Sequence, residues 1–289
     1  MLYSQLQKLK NLSIKARVQI IRLCTKGGCF AGSALSIVDL ILFLYECVLN
    51  KNLLQRDYLF LSKGHAVPAL YSVLSVTGRM DESWIDYHLE PDSLIYLHPN
   101  KDISSVDFHS GSLGHLPSVA AGVALDMKLT KKDGSVFVIV GDGELNEGSI
   151  WETLLFISSY NLNNMTIIVD RNRIQANMPT ESLIMLEPLK KKFEAFGFAV
   201  LETDGHDFDY ISQTFDNLSL NRHKKPSVII AHTIRGKGIS AFEHRLDKWF
   251  VKLNKEDAQS LIDDLMISNF QNSCFAPTKT RNDIRRTSI

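Results

Sequence analysis

Two short stretches carry residue types that could hold a charged group at the end of a buried strand. The first is Gly141-Asp142-Gly143, which closes an apolar run at 136–140. The second is Asp170-Arg171-Asn172, which closes another at 165–169. Runs rich in Val and Ile that give way to Gly or polar residues and then to helical spacing read as buried parallel strands, each followed by a turn and a helix. Ligands of open α/β sheets bind outside the carboxyl ends of such strands, so Asp142 and Asn172 are candidates by position alone. A carboxylate and an amide oxygen are hard donors that suit Mg²⁺, which completes its octahedral shell with water and phosphate oxygens. Gly141 and Gly143 allow close backbone approach, and the helix start beyond them offers free N–H groups to an anion. The implied chemistry is a diphosphate held through a metal. Taken singly, each stretch is equally an ordinary turn or loop.

These residues resemble the diphosphate-binding motif of thiamine-diphosphate enzymes, and of the transketolase family most closely. That motif reads Gly-Asp-Gly and, after a helix and a strand, Asn. The resemblance implies that thiamine diphosphate and Mg²⁺ are the cofactors, with the metal on Asp142, the Asn172 side chain and the Ile174 carbonyl. Gly141, Gly143 and Glu144 would then lie around the diphosphate. Ser62-Lys63-Gly64-His65 is similar to another family segment and implies a cofactor-side and catalytic role for His65; read by itself, His65 is equally a structural histidine at a strand end. Gly111-Ser112-Leu113-Gly114 resembles the turn that lies against the cofactor. His98-Pro99 matches a substrate loop, which leaves His98 open between substrate contact and loop packing. Gly236-Lys237-Gly238 resembles a family loop, where Lys237 faces either the diphosphate or solvent. Glu144 and Glu147 stand where acidic residues complement a helix dipole, and the resemblance adds a subunit-interface role for Glu147.

The chain departs from the family at two positions. Aligning Gly32-Ser33-Ala34-Leu35-Ser36 places Phe30 where transketolases have a His that touches sugar hydroxyls. Trp249 is followed by Phe250, where split transketolases have a second His. A phenyl ring offers no hydrogen bond to a hydroxyl, so the two changes imply a less polar substrate pocket.

The elements that must position these residues can also be read from the sequence. Residues 3–25 show helical apolar spacing and stop at Gly27-Gly28. Ser36 and Asp39 have the form of a capping box at the next helix. Further helices are expected at 119–129, at 149–160 with Trp151, Leu154, Leu155 and Ile157 inward, and at 187–196. Strands are expected near 58–61, 198–204 and 226–231. With 289 residues and 45% apolar content the chain can bury a large core. The expected fold is α/β, with residues 1–270 forming three layers, a mostly parallel sheet with helices on both faces, and 271–289 a polar, mobile tail. Lys plus Arg equal Asp plus Glu at 32 each, which argues against nucleic acid or an anionic membrane as partner. The apolar run at 35–49 carries Asp39 and Glu46 and reads as a core helix. Four scattered cysteines without metal-type spacing favour reduced thiols in a cytoplasmic protein.

In the family, a glutamate on a separate pyrimidine-binding domain assists the cofactor. Residues 175–289 leave no room for a second complete α/β domain. The resemblance therefore implies the amino-terminal subunit of a split transketolase-like enzyme, paired with a separately encoded pyrimidine-domain chain in a heterotetramer. It would transfer a two-carbon ketol or acyl unit to an aldehyde or ketone. Two alternatives are the alpha chain of a 2-oxo-acid dehydrogenase or decarboxylase, and a non-catalytic scaffold subunit.

Overall fold

The computed structural model describes residues 1–50, 55–221 and 224–274. Five parallel strands, β1 (Tyr58–Leu61), β2 (Val136–Gly141), β3 (Met165–Arg171), β6 (Ala199–Asp204) and β7 (Ser227–His232), form one sheet in the order β1-β2-β3-β7-β6. A two-stranded hairpin, β4 (Ile174–Gln175) with β5 (Met178–Pro179), stands apart from it. The central strands are predominantly apolar because both faces of the sheet are covered. In β2, Phe137 and Ile139 face one core, while Val136, Val138 and Val140 face the other.

The first face is covered by α1 (Tyr3–Thr25), α2 (Ala31–Phe43), α3 (Val67–Val76), α8 (Phe208–Asn221) and α9 (Lys255–Cys274). The second carries α4 (Leu116–Leu129), α5 (Gly148–Ser159) and α7 (Leu189–Ala195). The three layers expected from the sequence are thus present. A short helix, α6 (Thr180–Leu183), follows the hairpin. Helix α9 runs past the expected boundary at 270, and residues 275–289 of the expected tail lie outside the described residues.

Helix α2 passes without a break into a π-turn at Leu44–Val48. The apolar stretch Ala31–Val48 is mostly buried within the fold, as a core helix should be. Gly27 and Gly28, at φ 114° and 100°, reverse the chain between α1 and α2. A Cβ on Gly28 would meet Phe250 Cε1 at 2.5 Å, so this turn also seats Phe250.

Three local expectations are corrected. Ser36 is not a helix cap, because α2 begins five residues earlier; its hydroxyl instead donates to Asp170 Oδ2 at 2.6 Å. Leu155 points outward at 60% exposure, since the inward stripe of α5 is Ile150, Thr153, Leu154 and Ile157. The helix expected from 187 starts at Leu189, with Pro188 at its cap position.

Candidate active site

Asp142 and Asn172 come together because β2 and β3 pair with Gly141 opposite Asp170, so the chain leaves both strands at one sheet edge. The turn after β3 winds around two oxygen donors. Asp142 Oδ2 accepts Arg173 N at 2.6 Å and Arg171 Nη1 at 3.1 Å, and its Oδ1 accepts Gly143 N at 2.7 Å. Asn172 Oδ1 accepts Ile174 N at 3.0 Å. Burial, then the negative charge of Asp170, push the Asp142 carboxyl up to about 6, with Arg171 pulling the other way. Asp142 Oδ1 and Asn172 Oδ1 each keep a lone pair, and the Ile174 carbonyl follows on the same turn. An all-oxygen donor set around a buried carboxylate fits Mg²⁺.

Behind this pair lies Asp170, fully buried. It accepts from Ser36 at 2.6 Å, from Asn172 Nδ2 at 2.8 Å, and from Lys63 and Thr233. Burial would raise its pKa, but the charge and hydrogen bond of Lys63 hold it below the usual carboxylate range. Asp170 thereby orients the Asn172 amide, whose oxygen keeps one lone pair for a ligand beside the Ile174 N–H bond.

Glu144 does more than stand at a helix start. Its buried Oε1 accepts Gly114 N at 3.0 Å and the Ser62 hydroxyl, and its Oε2 accepts Gly141 N at 3.0 Å. One carboxylate thus ties together the ends of β1 and β2 and the loop holding Gly111, Ser112 and Leu113. Gly114 closes that loop at φ 80°, where a Cβ would stand 2.6 Å from Glu147 Cβ. Glu147 itself is exposed at the start of α5.

His65 is half-buried, and its Nε2 lies 3.0 Å from Ser33 Oγ. Burial and the nearby charges of Lys63 and Arg235 lower its pKa to about 3, so the imidazole is neutral. Its ring-carbon NMR shifts are therefore expected to stay at neutral-imidazole values from pH 8 to pH 5; a titration within that range would contradict this environment. His98 stands nearby, its Cδ2 3.2 Å from where a Cβ on Gly64 or Gly111 would be.

Phe30 packs edge-on against His65 at 5.6 Å and 76°, and contacts Trp249 at 5.4 Å and Phe250 at 5.2 Å. Trp249 and Phe250 are 38% and 43% exposed, so the aromatic cluster around Phe30 reaches the surface. Lys237 is drawn toward a neighbouring cleft lined by Asp204 and His206, with its amino group 3.7 Å from Glu243.

Three charged residues escape the motif reading. Lys63 was hidden inside the Ser-Lys-Gly-His segment, and Arg171 lies within Asp-Arg-Asn. Arg235 immediately precedes Gly236-Lys237-Gly238. Its guanidinium is buried and donates through Nη1 to the Ala176 carbonyl at 2.6 Å, while Nε and Nη2 have no hydrogen-bond partner among the described residues. Buried, unsatisfied guanidinium donors fit an anion such as a diphosphate.

The family model described as transketolase, thiamine diphosphate binding domain, matches residues 17–271. The chain belongs to the transketolase family. It is 36% identical over 265 residues to an apulose-4-phosphate transketolase subunit of Actinobacillus succinogenes, covering 90% of this chain and 95% of that protein. It is 33% identical over 240 residues to a 6-deoxy-6-sulfo-D-fructose transketolase subunit of a Clostridium species, covering 81% and 87%. The fold matches that of Leishmania mexicana transketolase with a TM-score of 0.81 at 21% identity, covering 89% of this chain and 41% of that one. Against such full-length transketolases the chain spans less than half their length.

Proposed function

We propose that this chain is the diphosphate-binding subunit of a two-component, thiamine-diphosphate- and Mg²⁺-dependent transketolase-like enzyme. The observation that carries the reading is the flanking of one turn by Asp142 and Asn172, with the unsatisfied donors of Arg235 nearby. Asp142, Asn172 and the Ile174 carbonyl would hold the cation, and Arg235 would face the diphosphate. Thiamine diphosphate bound there would supply a nucleophilic thiazolium carbon and an electron sink for carbonyl chemistry. The chain's own residues orient and shield. Glu144 fixes the loop 111–114, neutral His65 and the neighbouring His98 would offer hydrogen bonds at the carbon-transfer face, and Phe30, Trp249 and Phe250 would form its apolar edge. The second subunit would carry a pyrimidine domain, a reading supported by relatives of similar length that are themselves named as transketolase subunits. A cytoplasmic heterotetramer is the assembly we favour, since a cofactor lying between unlike domains requires both chains.

The aromatic edge points to a donor or acceptor with fewer hydroxyl groups beside the reacting carbon than an ordinary ketose phosphate has. Phe30→His should restore a hydrogen bond and lower KM for xylulose 5-phosphate roughly tenfold, as one such bond contributes about 1.5 kcal/mol. An unchanged KM would place the hydroxyl-reading surface elsewhere. The reading as a whole is tested by purifying the chain with the product of its neighbouring gene and measuring bound thiamine diphosphate. Carbon transfer is then assayed across ketoses, 2-oxo acids and aldehydes. Bound cofactor with transfer from at least one donor is expected; neither cofactor nor transfer would overturn it.

A further inference from the structure

Arg171, the last residue of β3, is 1% exposed and meets three carboxylates. Its Nη1 donates to Asp142 Oδ2 at 3.1 Å, and its Nη2 to Glu187 Oε1 at 2.9 Å and to Glu181. Both glutamates are themselves held by backbone. Glu181 Oε2 accepts Leu186 N at 3.1 Å, and Glu187 Oε2 accepts Leu189 N at 2.8 Å. The guanidinium is therefore fixed from its far side, independently of Asp142. Arg173 N is the second donor to Asp142 Oδ2, so the two donors use both lone pairs of that oxygen. Among the described residues, Oδ1 accepts only Gly143 N.

We propose that Arg171 is a positioning residue for the cation: by occupying Asp142 Oδ2 it makes Oδ1 the oxygen presented to the metal, and it anchors that choice on segment 181–187. The proposal rests on the reading of Asp142 as a cation ligand. A buried ion pair is a weak source of net stability, and its usual return is a defined geometry. A guanidinium fork also spans separated carboxylates in a way that a lysine ammonium cannot.

The sign of the effect separates positioning from simple stapling. A positive charge beside a cation repels it. If Arg171 only fastened segment 181–187, its removal would leave cation affinity unchanged or raise it. If Arg171 positions Asp142, affinity falls despite the lost repulsion. The probe is Mn²⁺, titrated in the presence of thiamine diphosphate into the complex with the pyrimidine chain, with free Mn²⁺ read by electron paramagnetic resonance. Arg171→Met and Arg171→Lys are each expected to weaken Mn²⁺ binding about 10- to 100-fold, the range for lost outer-shell support. The Glu181→Gln/Glu187→Gln pair keeps an amide oxygen for each Nη2 contact, and with it the anchored contact to Asp142, and should stay within about threefold of wild type on the same scale. Arg171→Lys retains the charge and serves if the Met variant does not fold. Arg171 variants that bind Mn²⁺ as tightly as wild type, or more tightly, overturn the proposal whatever their melting temperature. A wild-type complex that binds no Mn²⁺ overturns it together with the proposed function.

Discussion

Asp142→Ala is expected to reduce Mg²⁺-dependent retention of thiamine diphosphate more than about 100-fold, since even outer-shell losses cost 10- to 100-fold. Equilibrium dialysis of the complex with and without Mg²⁺ measures this, and cofactor retention within threefold of wild type would contradict it. The same carboxylate sets a pH dependence in the cation-free protein. Burial first, and the charge of Asp170 second, lift it from 3.8 to about 6. A carboxyl raised on folding favours the protonated native state. Its contribution is therefore complete below about pH 4 and is lost as pH rises through about 6. The difference is roughly 3 kcal/mol. On account of this group, the metal-free protein should melt at a lower temperature at pH 8 than at pH 5. Asp142→Asn should flatten that slope while also abolishing cation binding, and Mg²⁺ should recover the melting temperature at pH 8 only in the wild type.

The largest stability effect is expected at Lys63. The residue is 1% exposed and its ammonium pairs with Asp170, which is fully buried. Lys63→Met would leave that carboxylate with hydrogen bonds from Ser36, Asn172 and Thr233 but no charge partner. Removing one member of a buried pair costs about 3–5 kcal/mol, enough to unfold a marginal domain. Adding Asp170→Asn removes the uncompensated charge and keeps an acceptor, so the double variant should recover at least about half of the loss. Urea denaturation of the single and double variants decides the matter. A Lys63→Met protein within about 1 kcal/mol of wild type would mean that the carboxylate does not depend on this charge.

Much of this arrangement was legible because buried parallel strands announce themselves. The runs ending at Gly141 and at Asp170 have no polar face to interrupt them, so the sheet edge, and with it Asp142 and Asn172, followed from apolar length and turn residues alone. Phe30 and Phe250 could be flagged singly from aligned motifs. Their contact could not, because it depends on the Gly27-Gly28 reversal and on the bridge between Cys29 and Val251 that lays residue 250 beside residue 30. The capping reading of Ser36 failed for a related reason. A serine near a helix start fits a cap pattern, but this one has a buried carboxylate, 134 residues away in sequence, as its hydrogen-bond partner. For Glu144 the helix start was legible but its three hydrogen bonds were not, since an acid after a strand suits a helix N-terminus whether or not three segments converge on it. Lys63, Arg171 and Arg235 left no periodic signal, because each charge is satisfied or exposed to a ligand only through long-range contacts.

The most direct test of the account is a crystal of the complex grown with thiamine diphosphate and Mn²⁺, with the metal located by anomalous scattering. The predicted result is a single strong peak within coordination distance of Asp142 Oδ1, Asn172 Oδ1 and the Ile174 carbonyl, with the diphosphate on its open side. A bound cofactor whose metal lies away from Asp142 and Asn172, or a complex that binds neither, would contradict it.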